Sequence, residues 1–146
     1  MKDLNFNAAI GTKTIRIDEK EIKFPSKILS ILIIKENILV TFGGGSISED
    51  ILNSHDLLFN DCVEHNHNVW CFDFEGNLLW KIPSAYTEEQ HRENITKEGL
   101  PLPVAYQGVY QDPDDENNII AYNDYADYVF VRISDGTIVK KEKRGR

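Results

Sequence analysis

A chain of 146 residues, 41% of them hydrophobic, is long enough to bury a core without disulfide or metal staples, and it reads as one domain over 1–146. Its net charge of −8 argues against nucleic acid and anionic membranes as partners and in favour of basic ones. Only two cysteines, a start unlike a signal peptide and no apolar run of membrane-spanning length argue against a disulfide framework and lead to the expectation of a reducing cytoplasm.

The charge is unevenly spread: residues 1–42 carry a balance of +2, residues 43–128 carry −14 and residues 129–146 carry +4. An acidic middle steers basic partners inward. Acidic loops also serve solubility, and charge alone does not separate the two readings.

In chain order, Thr14–Asp18 and Glu21–Phe24 alternate apolar and polar residues around Asp18-Glu19-Lys20, which predicts a first small hairpin. Pro25 ends it, because proline cannot donate to a ladder. Ile28–Ile34 and Ile38–Phe42 predict a second hairpin, whose near-continuous hydrophobicity suits a strand buried on both sides or one central in its sheet. Gly43-Gly44-Gly45 stops it, and the polar, acidic stretch Ser46–Asn68 reads either as a short helix or as a long excursion between strands.

Val69–Ile82 is the strongest signal: two aromatic-rich runs flank Glu75-Gly76-Asn77, a β-hairpin with Trp70, Phe72 and Phe74 on one face. After Pro83, Thr87-Glu88-Glu89-Gln90 resembles a capping box and predicts a surface helix near residues 88–98, with Ile95 its only apolar residue. Four more strands follow at Tyr106–Gln111, Ile119–Tyr122, Tyr128–Ile133 and Thr137–Lys141, and residues 140–146 form a basic tail.

Aligning Gly76 with Gly136 sets Val69-Trp70-Cys71 over Val129-Phe130-Val131, and Asn37–Val40 resembles Asn118–Ala121. The chain therefore reads as a degenerate repeat of two four-stranded antiparallel units, with residues 43–68 inserted in the first. The expected fold is all-β: two packed blade-like sheets forming a β-sandwich of about ten strands, with one short surface helix.

No catalytic motif surrounds any serine, and the abundant carboxylates single out no acid–base pair. The expectation is a protein that is not an enzyme and holds no cofactor. Cys62, His65, His67 and Cys71 have zinc-like chemistry, but C-x2-H-x-H-x3-C is not an established zinc pattern and Cys71 falls inside a strand, so no metal site is assigned. Gly43-Gly44-Gly45-Ser46 lacks the lysine of a phosphate loop and reads as a strand end.

The candidate partner-binding residues are acidic and aromatic. Asp112, Asp114, Asp115 and Glu116 form the densest acidic loop; Asp124, Tyr125 and Asp127 lie in a tyrosine-rich turn; Asp61 and Glu64 add charge from the inserted segment. Carboxylates hold the Arg and Lys of a partner by charge-assisted bonds, and tyrosine is frequent at interface hot spots. The alternative, with Tyr122 and Tyr128 packed in the sheet and only Tyr125 exposed, stands beside it.

The strand, Asp, Gly turn and Leu-Trp strand of Val69–Ile82 resemble a β-propeller blade of the quinoprotein kind, and residues 129–139 are a weaker copy. A propeller needs at least four blades, so a single-chain propeller and its quinone cofactor are not implied. Small proteins with one or two such units are similar to immunity proteins of bacterial contact-dependent growth inhibition and related toxin systems. That resemblance implies a cytoplasmic protein that binds a toxin domain and blocks it. The acidic charge suits a basic nuclease toxin, by the steered capture for which barnase–barstar is the standard illustration. A β-rich ligand- or scaffold-binding module without a toxin partner is the alternative, with a metal-dependent enzyme behind it.

Overall fold

The structure, a computed structural model, describes residues 4–43, 67–83, 89, 106–123 and 127–143. These residues form eleven strands: β1 (Phe6–Ala8), β2 (Thr14–Ile17), β3 (Lys20–Lys23), β4 (Ile28–Ile34), β5 (Asn37–Phe42), β6 (Val69–Asp73), β7 (Leu78–Lys81), β8 (Tyr106–Gln111), β9 (Asn118–Asn123), β10 (Asp127–Arg132) and β11 (Ile138–Lys143). All pairings are antiparallel between chain neighbours, giving three meandering sheets, β1–β3, β4–β7 and β8–β11. The all-β reading of the sequence holds, and both four-stranded units are present. The N-terminal hairpin gains β1 and becomes a sheet of its own, so the sandwich has three layers. Most of the helix expected near residues 88–98 and of the inserted segment lies outside the described residues. Among the described residues no helix is long and apolar enough to cross a membrane.

The layers share two cores. Ile15 and Ile17 of the first sheet, with Phe24 just after β3, pack on Ile38, Val40, Phe42 and Phe72 of the central one. The opposite face of the central sheet presents Leu39, Val69 and Cys71 to Ile119, Ala121, Val129 and Val131 of the third. Strand residues alternate sides, so the middles of β5 and β6 are apolar at successive positions and supply both cores, as Ile38-Leu39-Val40 and Val69-Trp70-Cys71-Phe72 do. Both tryptophans anchor this arrangement. Trp70 sits among Phe24, Phe42 and Phe72 and donates its indole N–H to His67 O, at 2.8 Å. Trp80 donates to Ile133 O at 2.9 Å, tying the central sheet to the third.

The repeat is real, with one correction of register. In the first copy Asp73 N–H bonds to Asn77 O and Gly76 N–H to Asp73 O; in the second, Arg132 N–H bonds to Thr137 O and Gly136 N–H to Arg132 O. Asp73 thus matches Arg132, and the second turn is one residue longer. The bulges agree, lying between Cys71 and Phe72 and between Phe130 and Val131. Trp70 and Phe72 therefore correspond to Val129 and Val131, a slip of one from the alignment on the glycines, while Asn37–Val40 and Asn118–Ala121 correspond as expected. A slip of one exchanges the two faces of a strand. With it, the residues of the central sheet that face the first sheet match those of the third sheet that face the central one. The sheets stack in one sense, each on the last.

Candidate functional site: the acidic turn end

In a meander every second connection falls at the same end. The turns β2–β3, β4–β5, β6–β7, β8–β9 and β10–β11 all do so here, and side-chain contacts join them across the layers. Lys20 Nζ donates to Asn77 Oδ1 at 2.9 Å between the first and central sheets, and Lys35 Nζ to Asn117 Oδ1 at 3.1 Å between the central and third. These five connections contain nine carboxylates (Asp18, Glu19, Glu36, Glu75, Asp112, Asp114, Asp115, Glu116 and Asp135) against one cation, Lys35. Between the central and third sheets they border an open cleft of about 640 Å³, whose polar lining is Lys35, Asn37, Asp115, Asn117, Asn118, Arg132 and Ser134.

The carboxylates divide by what they do. Asp112 is only 6% exposed, and its Oδ1 accepts the Asp114 N–H at 2.9 Å. Asp115 accepts from Asn117 N–H and from the Asn118 side-chain amide. Asp73, the last residue of β6, accepts from the N–H groups of Glu75 and Asn77 and from the Asn77 side chain, each at 2.9 Å. Asp135 accepts from Thr137 N–H at 3.0 Å and forms an ion pair with Arg132 at 3.1 Å. These short acidic side chains hold their own turns shut, as Asp does in Asx turns. Glu19, Glu36, Glu75, Asp114 and Glu116 are exposed. The Lys35-Glu36 turn has positive φ at both residues, 49° and 62°, where Asn-Gly is usual, and this costs about 1 kcal/mol or more per residue.

Desolvation acts to raise the Asp73 carboxyl, but the bonds from Asn77 and Glu75 and the charge of Lys20 outweigh it and hold its pKa below the ordinary value. Asp135 is also lowered, first by the Thr137 N–H, against some desolvation, and with help from Arg132. A depressed folded-state pKa adds stability that is complete above the unfolded aspartate value, ~3.9, and is lost as pH falls through the lower folded one. Asp73→Asn is therefore expected to flatten the acid limb of a urea-midpoint-against-pH curve below about pH 4, by under about 1 kcal/mol because the group is well solvated. An unchanged acid limb would remove Asp73 from the set of turn-stabilising charges.

The structure separates the residues singled out from sequence. Asp112, Asp114, Asp115 and Glu116 belong to the turn end, with Asp112 turned inward. Asp127 lies at the other end of β10, its N–H bonded to Asn123 Oδ1 and its carboxylate 3.7 Å from Lys143 Nζ. Asp61, Glu64, Asp124 and Tyr125 lie outside the described residues. Tyr122 and Tyr128 stack at 6.3 Å on the outer face of the third sheet beside Tyr110, which favours the packed reading of these tyrosines. Of the Cys/His cluster, Cys62 and His65 are outside the described residues. Cys71 points into the core between the central and third sheets, where burial, and secondarily the Asp73 charge, pushes its thiol up to about 12. Such a thiol is a core residue and a poor metal ligand. Sequence reasoning missed Asp18, Glu19, Glu36, Glu75 and Asp135 as members of the acidic end. Their shared signal is position, since each sits in a turn two strands from the next.

No family model matches the chain, and no curated protein matches it.

Proposed function

We propose that the protein is a non-enzymatic immunity protein of a bacterial toxin system, acting in the cytoplasm by binding a basic toxin domain, a nuclease in the reading favoured by charge. The observation that supports it is the turn end: nine carboxylates against one lysine in five connections that lie side by side. A nuclease groove is basic because it must hold phosphates, and an acidic surface competes for it through long-range steering. All five turns are short and the β6–β7, β8–β9 and β10–β11 turns are tied by their own aspartates, so the backbone beneath Glu75, Asp114 and Glu116 needs little ordering on binding.

The test is co-expression with the protein encoded by the adjacent open reading frame, with growth rescue and pull-down as readouts. Charge reversal at Asp114, Asp115 and Glu116 to lysine is expected to lower the association rate roughly 10- to 100-fold at low salt and to flatten its salt dependence. All three are exposed, but Asp115→Lys also removes the bonds to Asn117 and Asn118, so the Asp114/Glu116 double reversal, which keeps that turn, is measured beside it. Failure to rescue or bind sinks the immunity reading. Binding with an unchanged rate and salt slope moves the interface away from these turns and favours a binding module of another kind.

A further inference from the structure

Among the described residues the first sheet has one strand fewer than the other two. In the two complete sheets the strands fall in columns: β8 lies against β4, Asn117 of the β8–β9 turn meets Lys35 of the β4–β5 turn, and Gly136 of the β10–β11 turn sits on Trp80 of β7. The same offset relates the central sheet to the first, because Gly76 of the β6–β7 turn sits on Ile17 and Lys20, where β2 turns into β3. Strands β1, β2 and β3 thus match β5, β6 and β7, and their chain directions agree. The place that matches β4 and β8 holds no strand among the described residues.

Two surfaces are left open by that gap. Asp18 N–H bonds to Asn5 O, so the odd-numbered residues of β1 exchange bonds with β2, while Phe6 and Ala8 direct N–H and C=O to the outer edge. No described residue takes those bonds. Beneath the gap, Ile33 pairs with the buried Ile38 on the face that meets the first sheet, yet is 47% exposed; the neighbouring bulge residue Leu29 is 43% exposed. On the opposite face of the same strand, Leu32 and Ile34 are packed into the core beside β8. On the open side Ile28, bonded through its backbone to Gly11 and Thr12, is fully covered and Ile31 is partly buried against the core below the first sheet, which leaves Ile33 and Leu29 as the exposed apolar residues of the strand.

We propose that the outer edge of β1 and the uncovered face of β4 form a strand-addition site for a single extended segment of another protein. The segment runs antiparallel to β1, as β4 and β8 do to their neighbours. It carries apolar side chains at alternate positions, because one face meets Ile31 and Ile33, and its backbone supplies the missing ladder. A segment in that direction ends at the acidic turns beside Asp18, Glu19 and Glu36, so its downstream end is basic. The gap is one strand wide. Pairing β1 with β1 of a second copy would drive that copy's central sheet into β4 and β5, so a second copy does not fit. This site does not depend on a toxin partner.

The probe is a synthetic peptide of alternating valine and threonine ending in lysine, titrated into the isotope-labelled full chain. Amide shifts are expected at Phe6, Ala8, Ile31 and Ile33, with affinity falling roughly tenfold in Ile33→Lys, an exposed position that folding tolerates. N-methylation of the peptide amides that face β1 is expected to abolish the shifts. The charge reversal at Asp114, Asp115 and Glu116 is expected to leave them in place, which separates this site from the toxin reading. No shift at these residues at millimolar peptide, equal affinity in Ile33→Lys, strong exchange protection of Phe6 and Ala8 in the free chain, or shifts that follow protein concentration alone would each overturn the proposal.

Discussion

Replacing Asn68 by alanine is expected to remove roughly 3–5 kcal/mol of stability, a large part of what a domain of this size has. Asn68 is fully buried just before β6, and its side chain joins two sheets. Its amide donates to Phe42 O at 2.7 Å in the central sheet and to Tyr106 O at 2.6 Å in the third, while its oxygen accepts Tyr106 N–H at 2.9 Å. Alanine leaves those three backbone groups buried without their partner, and the cost of an orphaned group exceeds the net worth of a bond. Asn68→Asp keeps the acceptor, loses both donors and buries a charge, so it is expected to be no better. Urea unfolding of the three chains checks this. A loss under about 1 kcal/mol would mean that water replaces the side chain and that the sheets are held by apolar contact alone.

Gly136→Ala is expected to cost roughly 2–4 kcal/mol, from two independent sources. Its φ of +74° is unfavourable for any side chain, and a Cβ there would lie 2.6 Å from Trp80 Cδ2 and 2.7 Å from Cε3. The indole cannot retreat, because its N–H is bonded to Ile133 O. Gly76→Ala is the control: φ is +84°, but the closest atom is Lys20 Cδ at 3.0 Å, on a flexible side chain that can move. It is expected to cost about 1 kcal/mol, the backbone term alone. Shrinking the ring with Trp80→Leu should make the Gly136→Ala step cheaper in a double-mutant cycle. Equal losses at the two glycines would show that the contact with Trp80 carries no weight.

Most of the fold was legible because its determinants are local. Alternation and Gly or Asp-Gly turns mark ten of the eleven described strands within a residue or two. Strand β1 escaped because Phe6-Asn7-Ala8 is too short to show a period, and its place depends on Phe6 and Ala8 meeting a core formed from distant residues. The repeat was visible, but its exact register was not. The extra residue in the Ile133–Thr137 turn shifts the match by one, and only the hydrogen bonds of Arg132 reveal it. The acidic site was legible in part. Runs such as Asp114-Asp115-Glu116 stand out in a sequence, whereas Glu19, Glu36 and Glu75 become neighbours only when sheets stack. Asp112 shows the opposite failure: composition counts it as surface charge, and folding spends it on a turn.

The middle of the central sheet, strands β5 and β6, is buried on both faces and governs how the chain can come apart. The hairpins β2–β3, β4–β5, β6–β7, β8–β9, β9–β10 and β10–β11 form quickly because their loops are short, whereas pairing β5 with β6 must close the long connection of residues 43–68. Neither outer sheet encloses apolar volume alone; each becomes a core wall only against β5 and β6. Melting those two strands opens both cores at once, so loss of order in this region is coupled across the whole stack. A cavity cut beside Leu39 and one cut beside Val40 lie on opposite sides of one backbone, and both act on the same cooperative unit.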